Sequence, residues 1–374
     1  MQARRVSDPK PKTGHPLHKR PGLVVHSDQP LNAETPPPLL RESFVTPADA
    51  FYVRCHGDVP EVDPGRYRLE VSGLVERPLR LSLEDIRGLP KSEATATLYC
   101  AGNRRAELME REPIPGKVAW NVGAAGNARW GGVLLRDVLR EAGIEKGARH
   151  AAFAGLDRDV ESGTGAPFGG SIPIERAASD RVLLAYEMND RPLPPEHGFP
   201  LRVVVGGYIG ARSVKWLSEI TLQAEPSDNY YQAVEYKLFP PHVTAENVDY
   251  SRGEMLGEIP LNCVICAPQN GETVGQGPIR VRGYAVAGGD RRIERVEVSA
   301  DEGRSWAGAA LTQEDGPGAW KFWEATLGLS PGPHEIVARA FDSGGETQPG
   351  SVGEVWNFQG YANNAWHRVT ITVG

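Results

Sequence analysis

One short segment carries most of the residues able to do chemistry. At the end of the alternating run from Ala94 to Tyr99 the chain reads Cys100-Ala101-Gly102-Asn103-Arg104-Arg105, so a strand hands over to a polar loop there. A lone cysteine is usually an inert buried residue. Two arginines within five residues change that reading, because they favour the thiolate, the form that binds a metal or attacks an electrophile. The same guanidinium groups can hold an oxyanion by paired charge-assisted hydrogen bonds. The chain has only 4 cysteines in 374 residues, too few for a disulfide framework that matters at this size. Cys263 and Cys266 have CxxC spacing, but no second pair or flanking histidine stands near them, so the case for zinc is weak.

The elements that must position this loop read as short strands with intervening helices. Tyr67 to Val71, Ala94 to Tyr99, Val182 to Ala185, Leu201 to Val205 and Val214 to Leu222 have strand character. A helix is predicted over Gly132 to Glu141, with Leu134, Leu135, Val138 and Leu139 on one face and Gly143 as its stop. A shorter one starts at the cap Ser82 and ends near Gly88. Strands and helices mixed without a strict βαβ rhythm predict an α+β fold. Beyond Pro260 the helical period disappears. Strands recur at Ile279 to Val286, Ile293 to Ser299, Trp320 to Thr326, His334 to Phe341 and Trp366 to Val373, which fits an immunoglobulin-like β-sandwich. The expected organisation is an extended arm over residues 1–48, a catalytic domain over 49–255 and the sandwich over 256–374. The arm is rich in Pro and polar residues and is expected to carry little chemistry.

Composition narrows the classes. A 374-residue chain that is 40% hydrophobic and 24% charged is globular, and 43 Gly with 31 Pro mean many turns rather than a helical bundle. A net charge of −7 argues against binding nucleic acid through bulk electrostatics, and no apolar run is long enough to span a bilayer, so neither nucleic acid nor membrane is an expected partner. The first 20 residues hold six Lys or Arg against one Asp, including Arg4-Arg5, but lack the apolar core of an export signal. A cytoplasmic enzyme is the expectation, or a periplasmic one whose signal has been removed.

Around Cys100 the chain resembles the sulfite oxidase family of molybdenum enzymes. The resemblance continues through Arg54-Cys55-His56, Ala128-Arg129-Trp130-Gly131-Gly132, Leu184-Ala185-Tyr186-Glu187-Met188-Asn189, His197-Gly198-Phe199-Pro200-Leu201-Arg202, Gly210-Ala211-Arg212-Ser213-Val214-Lys215-Trp216 and Asn364-Ala365-Trp366-His367-Arg368-Val369. These segments span about residues 50–374 in the family's order. The resemblance implies a molybdopterin-binding domain, a dimerisation domain, and hence a homodimer.

It also implies roles. Cys100 becomes the molybdenum ligand beside the dithiolene of a pterin cofactor, a position that suits a soft thiolate. Tyr52, Val53, Arg54, His56, Asp157, His197, Arg202, Ser213, Val214 and Lys215 match the positions that bind the cofactor. Arg202 and Lys215 can neutralise a phosphate there, with or without a nucleotide attached, while Asp157 and His197 can read ring edges. Arg54, Arg105, Trp120 and Tyr236 match the substrate site, where converging guanidinium groups would hold a doubly charged sulfite. The implied reaction is oxygen-atom transfer to sulfite, with a tyrosine hydrogen bond to an oxygen.

Three departures qualify the resemblance. Cys55 stands in place of the family's asparagine. The family's Trp-Asn-x-Arg-Gly segment reads Trp356-Asn357-Phe358-Gln359-Gly360, so a pocket arginine has become glutamine. One charge at about 4 Å in an effective dielectric near 20 is worth about 4 kcal/mol before desolvation, enough to alter substrate choice. This opens the alternative of a nitrate reductase or another oxyanion oxidoreductase on the same scaffold. The segment from Arg105 to Trp120 is one residue longer than usual, and Lys117 is left unassigned. No cytochrome b5-like segment or Cys-x-x-Cys-His site occurs, so molybdenum without haem is expected, with electrons passing to a separate cytochrome or to oxygen.

Overall fold

The computed structural model describes residues 19–312 and 316–374, so Arg4-Arg5 lie outside the described residues. Far from being a bare extended strap, the segment before residue 48 pairs Val24–Asp28 with Leu31–Glu34, and the second strand adds Val53–Arg54. Leu31 and Ala33 are buried, which gives this hairpin a core face. Asn32 also reaches the neighbouring strand, where its Oδ1 accepts from Arg54 Nη1 and from the Cys55 N–H, both at 3.2 Å. Thus the arm helps to set the position of Arg54.

Two five-stranded sheets form the body that follows. One runs in the order Arg191–Pro192, Val182–Met188, Ala125–Leu134, Lys91–Tyr99, with Arg202–Val205 also paired to Val182–Met188. The other runs Leu79–Leu81, Leu69–Gly73, Leu217–Gln223, His150–Gly155, Gly169–Pro173. Leu69, Val71, Phe153, Leu184, Val203, Leu217 and Ile220 meet in one core between them. The helix Leu135–Ala142 closes that core with Leu135, Val138, Leu139 and Ala142. It starts three residues later than its apolar period predicts, because Gly132 to Leu134 finish a strand. A side chain at Gly132 would place its Cβ 2.1 Å from the Leu184 carbonyl oxygen, so the glycine serves close strand packing rather than helix entry. The short helix is as expected: Ser82 caps Leu83–Arg87 in a reciprocal box with Asp85.

Eight strands from Asn262–Ala267 to His367–Val373 make up the C-terminal unit, in the order Asn262–Ala267, Pro278–Val286, Lys321–Gly328, Ala307–Leu311, Ile293–Ser299, Gly332–Asp342, His367–Val373, Glu272–Val274. The strands expected from sequence are present, within a residue or two at their ends. Asn262–Ala267, Glu272–Val274 and Ala307–Leu311 are additional. A small cluster joins the units, with Leu40, Tyr99, Val122 and Ala125 packing on Val264, Tyr284, Trp320 and Phe322. Alternation along Asn262–Ala267 sends Cys263 into the C-terminal core and Cys266 into this junction. Burial raises both thiol pKa values, that of Cys266 to about 12, so both are inert neutral thiols.

Candidate active site

Two adjoining cavities meet at Arg54, Cys100 and Tyr236. Cys100 follows directly on the strand Lys91–Tyr99, and its N–H donates to the Ala124 carbonyl at 2.9 Å. The Asn103 N–H closes a turn onto the Cys100 carbonyl at 2.9 Å. Arg104 then adopts a left-handed backbone (φ 66°), unusual for a residue with a side chain and sustained only where the surroundings fix it. The fixing contacts are plain. Its guanidinium pairs with both carboxylate oxygens of Glu107 at 2.6 and 2.7 Å and donates to Asn262 Oδ1 and the Ala365 carbonyl. Arg104 therefore ties the cysteine loop to the C-terminal unit and holds no anion, unlike the neighbour with which the sequence groups it.

The first cavity gathers nearly every residue expected to hold a cofactor: Tyr52, Val53, Arg54, His56, Cys100, Asp157, His197, Arg202, Ser213 and Lys215. Val214 is the exception. Its side chain lies in the main core, and it is not among the residues lining the cavity. Arg202 donates to the carbonyls of His197 and Ser213, both at 2.8 Å, and burial pulls its pKa down to about 10. Lys215 donates to Glu196 O at 3.1 Å and reaches Cys55 Sγ at 3.0 Å, so Cys55 is a wall residue whose sulfur sits against a cation. Both histidines are held neutral. Burial, with help from Arg54, Lys215 and Lys117, takes His56 well below its ordinary pKa, while burial with Lys19, Lys215 and Arg202 does the same for His197.

Asp157 is the unsatisfied member. Its Oδ1 is buried without a partner among the described residues, and burial raises its pKa to about 6 despite the nearby Lys215. An orphaned acceptor of this kind asks for a donor on a ligand. Three cations, two neutral imidazoles, this carboxyl group and the Cys100 thiol fit an anionic ligand that carries N–H groups and a thiophilic metal. They fit a molybdenum pterin.

Arg54, Arg105, Lys117, Trp120, Glu161, Glu235, Tyr236 and Tyr361 line the second cavity. Arg105 lies over the Tyr361 ring at 4.9 Å and donates to Gly360 O and Val118 O, both at 2.9 Å. Tyr236 meets His56 Nε2 at 2.8 Å, and burial raises its pKa, so the phenol keeps its proton. Trp120 is fully buried and its Nε1–H has no partner among the described residues. Gln359 is buried, but it is not among the described residues lining either cavity. Its neighbours Gly360 and Tyr361 are the ones that reach Arg105, so the glutamine does not face the site in place of an arginine.

Several participants are invisible to motif reading. Lys117 forms an ion pair with Glu235, and Tyr361 donates to the same carboxylate. Burial opposes the charge on Glu235, but Lys117 and Tyr361 hold its pKa below the ordinary value. The adjacency of Glu235 to Tyr236 is the one signal that could have found this pair. The arm also contributes, contrary to expectation: Lys19 Nζ lies 2.5 Å from His197 Nε2 and donates to Ala48 O and Phe51 O. Burial lowers its pKa to about 8.

Comparison with known proteins gives the same outline. The family described as "Oxidoreductase molybdopterin binding domain" matches residues 56–231, and "Mo-co oxidoreductase dimerisation domain" matches 254–374. The chain is 43% identical to the sulfite oxidase of Arabidopsis thaliana, with 95% of each chain covered. It is 46% identical to the sulfite oxidase of Gallus gallus over 94% of this chain and 78% of that protein. Among solved structures it is similar to the sulfane dehydrogenase SoxCD of Paracoccus pantotrophus, with a TM-score of 0.79, 26% identity, and 100% and 96% of the two chains covered.

Proposed function

The chain belongs to the sulfite oxidase family of molybdopterin-dependent oxidoreductases, and from that premise we propose that it oxidises sulfite to sulfate and passes the two electrons to a separate acceptor. The observation that carries the reading is the meeting of Cys100 with Arg54 and Tyr236 where the two cavities join. When bound, the molybdenum cofactor supplies oxygen-atom transfer and takes up two electrons; water provides the oxygen overall, and two protons are released.

The chain's own residues bind and orient. Cys100 offers the thiolate ligand. Arg202, Lys215, His197 and Asp157 hold the pterin and its phosphate in the first cavity, with Tyr52, Val53, His56 and Ser213 as the expected remaining contacts. Arg54 and Arg105 attract the oxyanion into a site whose walls are already desolvated, where a fixed charge acts with little reorganisation. Tyr236 keeps its proton through burial and so remains a donor to an oxygen of the substrate or product. Trp120 brings a donor that has no partner among the described residues. No side chain has to act as a strong base.

The nitrate reading rested on Gln359 facing the substrate, and its place outside both cavities removes that support. The C-terminal unit, with its eight antiparallel and parallel strands, is read as an immunoglobulin-like sandwich through which two chains pair. A haem-free molybdenum centre with an external cytochrome or oxygen as acceptor completes the proposal. No helix among the described residues is long and apolar enough to cross a membrane. The test is steady-state oxidation by the molybdenum-loaded protein with ferricyanide as acceptor. Sulfite should be turned over with two ferricyanides reduced per sulfate formed, and activity on nitrate with none on sulfite would overturn the proposal.

A further inference from the structure

The strongest contact of Arg54 is to a carboxylate on a surface loop. Between the strands His150–Gly155 and Gly169–Pro173 the chain runs out over residues 156–168, and Glu161 turns back toward the site. Its Oε1 and Oε2 accept from Arg54 Nη1 and Nη2 at 2.6 and 2.7 Å. Two parallel N–H···O bonds into one guanidinium fork are the geometry that two oxygens of an oxyanion would adopt. Glu161 lines the substrate-side cavity, and Arg54 is the only partner of its carboxylate among the described residues.

The loop is held at its root by Asp159, which also takes hydrogen bonds from the Ser162 and Thr164 hydroxyls. Asp159 is buried, accepts from the N–H groups of Glu161 and Ser162 at 2.9 and 3.1 Å, and takes a hydrogen bond from the Tyr231 hydroxyl. The Val160 N–H donates to His56 O at 3.0 Å, so the root is tied to the wall of the site. Beyond it, Gly163 and Gly165 turn the chain at positive φ (72° and 64°), and no atom lies within 4 Å of the place a Cβ would take at either. The tip stands in open space at these two glycines, and the Glu161 side chain just before it is partly open to solvent. It is 34% exposed, against 17% for that of Arg54.

We propose that Glu161 is an internal competitor for the oxyanion: its carboxylate fills the guanidinium fork of Arg54 when the site is empty, and the incoming anion displaces it. This deepens the reading of the cavity as a sulfite site and rests on that reading. An empty site would otherwise leave a largely buried cation unpaired, which is costly. A doubly charged anion replaces one negative charge by two and also faces Arg105, so it gains on exchange. Closure by Glu161 is one equilibrium whichever anion follows, so it weakens every anion that must displace it by a common factor. Glu161 therefore sets the affinity of the site, while the choice of a divalent oxyanion over nitrate lies with the charges of Arg54 and Arg105.

Glu161→Gln, made in the cofactor-loaded enzyme, removes the competing charge at an exposed position. The KM for sulfite should fall roughly three- to tenfold with the change carried by KM rather than kcat, the scale expected for a partly exposed ion pair. Sulfate and nitrate affinities by calorimetry should both rise by that same factor, and Glu161→Asp should return toward the parent. Unchanged sulfate affinity in Glu161→Gln, or weaker affinity, overturns the proposal. If the parent does not oxidise sulfite but Glu161→Gln still binds sulfate more tightly, the competitor stands and the sulfite oxidase reading falls. Turnover of sulfite with KM and sulfate affinity both unaltered does the reverse.

Discussion

Arg104 and Arg105 are adjacent in sequence and opposite in task, so replacing each by methionine should give two separable phenotypes. The Arg104 side chain is fully buried, and Arg104→Met strands the Glu107 carboxylate, Asn262 Oδ1 and the Ala365 carbonyl at the junction of the two units. Breaking a buried pair costs about 3–5 kcal/mol, and the 25% exposure of the Glu107 side chain places the loss near about 3 kcal/mol. Glu107 fixes the sign of the pH dependence. Burial would raise its pKa, but Arg104, His367 and Asn363 hold it below the ordinary 4.5. A depressed carboxyl stabilises above its unfolded pKa, and that stability is lost as pH falls through the folded value. The deficit of Arg104→Met should thus be full at neutral pH and shrink in acid. In Arg105→Met the folded chain loses mainly a cavity charge. A charged hydrogen bond is worth about 1.5–3 kcal/mol, so the KM for sulfite should rise about 10- to 100-fold with a smaller stability change. Thermal unfolding across pH, together with ferricyanide-coupled kinetics at fixed low ionic strength, reads both effects. A parent-like melting temperature for Arg104→Met, or a parent-like KM for Arg105→Met, would refute the division of labour.

Other expectations follow from the same contacts. Asp157, raised to about 6, favours the folded state only while protonated, so its contribution is lost as pH rises from about 4 to 6. In cofactor-free protein Asp157→Asn should therefore raise stability at neutral pH by on the order of 2–3 kcal/mol, with no gain in strong acid, while lowering the molybdenum retained by the loaded protein. A melting curve unchanged at neutral pH would contradict the unpartnered carboxyl. Lys19→Met removes the ammonium packed on His197 and should reduce molybdenum retained after dialysis, measured by elemental analysis; undiminished retention would sever the arm from the site. Cys263→Ala and Cys266→Ala should leave molybdenum content and kcat intact at a cost of about 1–2 kcal/mol in stability, whereas Cys100→Ser should abolish sulfite turnover.

The parts of the site legible in the sequence are those held by local chain order. Cys100 lies at the end of an alternating strand, and His197, Arg202, Ser213 and Lys215 fall within short segments that fold onto one cavity wall. What escaped depends on geometry that local order does not encode. The direction of Arg104 follows from a left-handed backbone and from partners 158 and 261 residues away. Lys117 and Glu235 meet across 118 residues, and Lys19 meets His197 across 178. Gly132 opens the helix expected from the apolar period but belongs to a strand, because close approach to Leu184 overrides local preference. Gln359 drew attention as a lost charge, yet in the structure the chain presents Gly360 and Tyr361 to the site instead.

An anaerobic titration of the oxidised, molybdenum-loaded protein with sulfite, with sulfate measured as product, tests the central claim most directly. The expected result is stoichiometric reduction, one sulfate and two electrons per molybdenum, lost in Cys100→Ser. Full metal occupancy with no reduction by sulfite would contradict it.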